Sequence, residues 1–194
     1  MPTIEHSVLS GSELHEPKGI SSASDGQIYV ANGSGGGVWE DQITNVHGEM
    51  VVINNATATA VTAAADATLN TDSDYVKITA GWTGDHLHNV SFNTDELILS
   101  KGGFYYISFW CSIKVPTNNN FVSIKYAIND TAPYSNRKIK SQSVTANDYI
   151  NMSATGILDS ITADDTLSMY IAATKTDNIV IEEAGLCAML LHPA

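Results

Sequence analysis

The chain is poor in charge, and poorest in positive charge. Charged residues make up 15% of its 194 residues, and nine Lys and Arg stand against 21 Asp and Glu, a formal net charge of −12 at pH 7. Neutralising phosphates takes clustered Lys and Arg, so nucleic acid is excluded as a partner. The one basic cluster, Arg137-Lys138-Ile139-Lys140, puts Lys138 and Lys140 on one face of a strand. It reads as a solvated edge strand, where lysines block unwanted pairing. Globular chains usually carry about 25% charge; the shortfall here implies a surface covered by partners or solvated by Thr, Asn and Ser.

Cysteine is scarce too. Cys111 and Cys187 each lie inside an apolar strand, where thiols behave as small buried hydrophobes. Free thiols and a reducing compartment are the expectation, and a disulfide stays open if the two strands are neighbours. No run approaches the ~20 apolar residues of a membrane span, and the first residues lack the basic start and apolar run of a signal peptide. A soluble protein, without membrane contact and not marked for export, is expected. Nucleophile elbow, phosphate loop and zinc-protease helix motifs are all missing, so no enzymatic activity is expected.

What the chain does have is strand pattern. From Gly48 onward, segments rich in Val, Thr, Ile and aromatics alternate with turn chemistry such as Lys101-Gly102-Gly103 and Pro116-Thr117-Asn118-Asn119-Asn120. Eight to ten strands at regular spacing, with no convincing helix, predict an all-β sandwich. The longest strand, Phe104–Val115, has bulky groups on both faces: Phe104, Tyr106, Ser108 and Trp110 on one, Tyr105, Ile107, Phe109 and Cys111 on the other. One face can fill the sandwich while the other meets a neighbour, unless loops of the same chain cover it.

Residues 1–45 read as an arm preceding a body over residues 46–194. Ile28, Val30, Val38 and Trp39 are the arm's sizeable apolar anchors near its short strand, too few to fold alone, and glycines 33 and 35–37 permit a sharp reversal before Trp39. Docking is expected through polar contacts of His15, Glu16, Pro17 and Lys18 and apolar contacts of Ile28, Val30 and Trp39.

Three constellations could carry chemistry. Asp85-His86-Leu87-His88 could offer two histidines to a metal, but with no third ligand in register it reads as solvated or hydrogen-bonded loop histidines beside an expected loop at residues 81–84. His15-Glu16 sits on an arm too mobile for acid–base work. Asp164-Asp165 could take calcium, but two adjacent carboxylates are weak grounds. No metal and no cofactor is expected.

The order of segments resembles the TNF/C1q-like jelly roll. The resemblance rests on Asn54-Asn55-Ala56-Thr57-Ala58-Thr59-Ala60-Val61, the strand Gly102-Gly103-Phe104-Tyr105-Tyr106-Ile107-Ser108-Phe109, the stretch Asn151 to Ile171, and the closing Ala184-Gly185-Leu186-Cys187-Ala188-Met189-Leu190-Leu191. In that family a glycine precedes an aspartate in the loop before the late strand; here Asp164 takes the glycine's place. The run Leu14 to Gly19, then Gly26 to Gly33 and Trp39, is similar to a short module of tailed-bacteriophage virion proteins. Together the two halves resemble a phage head decoration (cement) protein. The resemblance implies a homotrimer, with Tyr105, Ile107 and Phe109 at the trimer interface, and the major capsid protein as partner. It also implies a place on the capsid surface of the virion, after synthesis in the host cytoplasm. The alternative is a tail-fibre or receptor-binding protein whose jelly roll contacts a host surface glycan or protein, with exposed loop aromatics such as Trp82 or Tyr134.

Overall fold

In the segment Gly103–Val115 every second side chain, from Gly103 and Tyr105 through to Val115, is buried, while those between are exposed or half-buried. That is the mark of a strand with one face on a core, and it recurs along the chain. The computed structural model describes residues 23–24, 27–31, 37–41, 45–79, 81–131 and 138–193. The chain divides into two units, Met1–Thr44 and Asn45–Ala194.

Unit one contains a two-stranded antiparallel ribbon of β1 (Gln27–Ala31) and β2 (Gly37–Asp41), with Tyr29 opposite Trp39 and Val30 opposite Val38. Unit two carries β3 (His47–Val52), β4 (Ala58–Val61), β5 (Val76–Lys77), β6 (Trp82–His88), β7 (Val90–Asn93), β8 (Glu96–Leu99) and β9 (Gly103–Val115). It continues with β10 (Phe121–Ile128), β11 (Lys138–Gln142), β12 (Asp148–Ile161), β13 (Asp165–Ala173) and β14 (Asp177–Pro193). Among the described residues the one helical element is a single 3-10 turn, Asp72–Asp74.

The strands form two antiparallel sheets. Sheet I runs β11-β10-β13-β8-β7, with β5 also on β13; sheet II runs β12-β9-β14-β3-β6, with β4 also on β14. The core lies between them. Tyr105, Ile107, Phe109 and Ile113 of sheet II face Val122, Ile124, Tyr126, Leu167 and Met169 of sheet I, and the Phe109 and Tyr126 rings meet edge-on at 5.7 Å. Such a pair adds about 0.5–1.5 kcal/mol beyond its burial.

This corrects the expected trimer contact. Tyr105 and Ile107 are 0% exposed and Phe109 is 2% exposed within one chain, so none has surface left to give a neighbour. Their parity was right and their direction was not.

Sheet I is covered on its far side by its own chain. After β4, residues 62–75 cross over it; Leu69 and Tyr75 pack with Ala127, Tyr170 and Ala172, and β10 is therefore buried on both faces. Lys138 Nζ donates to Leu69 O (2.9 Å) and Lys140 Nζ to Ala67 O (3.0 Å) from the edge strand β11, which fastens the crossover. Those edge lysines are thus ties as well as solvated charges.

The cysteines do not pair. Cys111 and Cys187 stand on neighbouring strands but on opposite faces, Cys111 in the core and Cys187 half-buried outside it, both as free thiols. Burial pushes the Cys111 thiol up to about 12. Asp164 adopts φ +70°, the left-handed conformation that a glycine takes most easily, and its N–H donates to Leu99 O at 2.7 Å. The Asp165 carboxylate accepts from Thr162 N (2.8 Å) and Asn129 Nδ2 (2.7 Å), so it caps the turn.

Candidate interaction surface

The outer face of sheet II is built by residues of the opposite parity to the core. In register across it run Ile157, Tyr106, Met189, His47 and His88, and one row on, Thr155, Ser108, Cys187, Glu49 and Asp85. A third row holds Ser153, Trp110, Gly185, Val51 and Thr83. Phe104 and His192 close one end, their rings edge to face at 6.3 Å. Phe104, Trp110, Ile157, Met189 and Leu191 are each 41–50% exposed. Several large apolar side chains exposed on one sheet are the kind of surface on which something binds.

Trp110 can lie across β14 because residue 185 is glycine: a Cβ there would come within 2.3 Å of the indole Nε1. Beside the indole is a recess of about 310 Å³ lined by Ser112, Asn151, Ser153 and Glu183 among others. Towards the far end the face turns polar. Lys114 Nζ sits 5.8 Å from the Tyr149 ring centroid, and Tyr149 Oη is 3.3 Å from Glu182 Oε1.

At the β3–β6 edge the face is ionisable. Asp85, His86 and His88 lie on strand β6 rather than in a loop, and β3 brings Glu49 alongside: Oε1 of Glu49 is 3.1 Å from His86 Nδ1, and Oδ1 of Asp85 is 3.2 Å from the same nitrogen. The His47 and His88 rings stack at 5.6 Å. The candidate pairing of His86 with His88 is not formed: the cluster joins His86 to Asp85 and Glu49, while His88 stacks on His47.

Of the residues expected to dock the arm, His15, Glu16, Pro17 and Lys18 lie outside the described residues, as does Tyr134. Ile28, Val30 and Trp39 do not share one face: Ile28 and Val30 lie on the side of Val38, while Trp39 pairs with Tyr29 on the other, their rings 5.2 Å apart. Trp82 is buried, its indole donating to Ile78 O at 2.8 Å, so it is no loop aromatic for a receptor. The residues missed were Ile157 and Met189, which come to the face of Phe104 and Trp110 only through strand pairing. A local signal existed for the β9 face, where Ser108, Ser112 and Lys114 alternate with the wholly apolar inner set.

No protein-family model and no curated protein matches the chain. Solved structures do. The globular domain of the zebrafish complement 1qA protein matches with a TM-score of 0.54 at 11% identity, over 77% of this chain and 99% of that one. The Eiger TNF of S. frugiperda matches with a TM-score of 0.54 at 12% identity, over 78% of this chain and 95% of its own. The fold is a TNF/C1q-like jelly roll. At these identities the likeness is one of fold, and the jelly roll's own surface must carry any reading of function.

Proposed function

We propose that the chain is a non-enzymatic assembly protein: a homotrimeric TNF/C1q-like jelly roll that decorates a larger particle and docks on it through residues 1–45. The observation that carries this is the outer face of sheet II, where Phe104, Trp110, Ile157 and Met189 stand exposed while the opposite sheet is covered by its own chain. These side chains are already about half buried, so each has roughly 0.7–1.5 kcal/mol left to gain on full burial, and the face gains by closing on neighbouring copies. The three-fold closure, the tailed-phage head as the particle and the major capsid protein as its docking site follow the sequence resemblance. Three linked arms would raise one another's effective concentration on the particle, so modest contacts by each suffice.

The first test is mass in solution: sedimentation equilibrium of the purified chain should return three times the chain mass, and a monomer across the micromolar range sinks the reading. Deleting residues 2–40 should then leave a trimer that no longer co-sediments with capsids. A truncated trimer that still decorated them would remove the docking role.

A second reading has one observation in its favour. The exposed Trp110 ring beside a recess lined by Asn151, Ser153 and Glu183 is the aromatic-and-polar mixture that small-molecule and glycan sites use, which suits a receptor-binding tip. A low copy number per particle and glycan binding lost on Trp110→Ala would favour it over decoration.

A further inference from the structure

We propose that Glu49, Asp85 and His86 bind a divalent first-row transition-metal ion of the zinc class, clipping the edge strand β6 to β3. The site is made by register. β6 carries one residue more than β3 between the pairs His47–His88 and Glu49–Asp85, and His86, at φ +45°, occupies this bulge. A bulge re-aims side chains, and here it sets two consecutive residues over Glu49. One ligand atom from each of the three lies within 4.8 Å of the others.

The two separations from His86 suit a metal of that size. Zinc bound at about 2.0–2.1 Å in a tetrahedral site holds its ligands roughly 3.3 Å apart, and a six-coordinate ion of the same radius roughly 2.9 Å; the His86 Nδ1 distances to Glu49 Oε1 and Asp85 Oδ1 are 3.1 and 3.2 Å. Nδ1 carries at most one hydrogen, and both neighbours are acceptors. On the tautomer that carries its hydrogen on Nε2, the Nδ1 lone pair faces both carboxylates, and a cation can bridge the three groups. An imidazole with two carboxylates favours zinc and its neighbours over calcium and magnesium, whose sites are made of oxygen.

A second pair of histidines lies beside the site. His47 and His88 stack one row away on the same strand pair. His47 Nδ1 lies 3.2 Å from Asn45 Oδ1, a contact that orients the ring as outer partners orient metal-binding histidines. The three proposed ligands are open enough for water to complete the coordination, with side-chain exposures of 32% for Glu49, 50% for Asp85 and 74% for His86.

The test uses the full chain without an affinity tag, stripped with EDTA and exchanged into metal-free buffer. Isothermal titration with ZnCl2 near neutral pH should find one ion per chain, and saturating zinc should raise Tm by a few degrees, because an ion that binds only the folded state stabilises it. Glu49→Gln and His86→Asn, which keep shape and remain folded by far-ultraviolet circular dichroism, should each weaken zinc at least about tenfold and abolish the rise in Tm. The proposal is overturned if both variants bind zinc as tightly as the parent. It is equally overturned if binding disappears only in His47→Asn/His88→Asn, which would place the ion on the stacked pair, or if CaCl2 binds as tightly as ZnCl2.

Discussion

The outer faces of the two sheets solve opposite problems. Sheet I presents Ser123, Lys125, Ser168 and Tyr170 outward and then buries them beneath its own chain; sheet II presents Phe104, Trp110, Ile157 and Met189 outward and leaves them bare. The cover on sheet I is specific. The Lys125 ammonium pairs with Asp72 and lies 3.8 Å from the centroid of the Tyr75 ring. The Tyr75 hydroxyl donates to Leu69 O (3.0 Å) and accepts from Ser123 Oγ (2.7 Å). A buried ammonium is tolerated only where partners meet it, so this face needs a cover whose atoms are placed in advance. An apolar face sets no such requirement. It tolerates water at a cost and gains by any well-fitting partner, which is what an association surface requires.

The sharpest way to break the contrast is within one strand. Phe109→Ala, on the inner face of β9, should cost about 3–5 kcal/mol in chemical denaturation. If it instead dissociated the assembly with stability unchanged, the inner and outer faces would have been exchanged. Next, Ile157→Glu on the outer face should leave the fold intact but weaken self-association by roughly one to two powers of ten, from the ~1 kcal/mol of burial that a half-exposed side chain has left to gain together with the cost of covering an unpaired carboxylate. Light scattering across a dilution series reads this, and an unchanged mass would clear that face of the role.

On the covered side, Asp72→Ala should destabilise the body by about 2 kcal/mol. Leaving one charge of a buried pair alone costs about 3–5 kcal/mol, reduced here because Asp72 is 34% exposed and water can reach the site. Urea melts of the variant check it, and a neutral result would mean that the crossover does not depend on its ion pair.

The smallest effect is in pH. Burial works to raise the Asp130 carboxyl, but the Lys77 ammonium at 2.8 Å and hydrogen bonds from Ser168 and Tyr170 outweigh it and hold the group down at about 2. A depressed carboxyl contributes stability that is present above its unfolded pKa, near 4, and is lost as pH falls through the folded value. Stability should therefore drop between about pH 4 and pH 2, by less than ~1 kcal/mol from this half-exposed group. Asp130→Asn should flatten that part of the curve, and an identical slope in the variant would assign the loss to other carboxylates.

Much of this architecture was legible in local chemistry. The glycine and asparagine turns around β9 and the lysines of β11 stand where their residue types predict. Asp164 adopts the left-handed backbone that a glycine takes most easily. The reading went astray where a local signal had to choose a direction. Alternation sorts Tyr105, Ile107 and Phe109 from Phe104, Tyr106 and Trp110, but parity alone is symmetric. The serines and lysine on the second set were the cue that it faces outward. Trp82–His88 hid as a strand because Gly81 and Gly84 look like turn residues; in the fold Gly84 gives room to Phe92, whose Cβ would lie 2.7 Å from an added methyl.

By itself, then, the sequence determined the strands, their turns and their two faces, because these follow from a period of two and from residues with restricted backbone preferences. Tertiary structure alone decided which face meets the core, that residues 62–75 close over Lys125, and that Glu49 comes to His86 from 37 positions away. Those outcomes depend on register between distant strands, and register is chosen by the whole core at once, which no local stretch of the chain records.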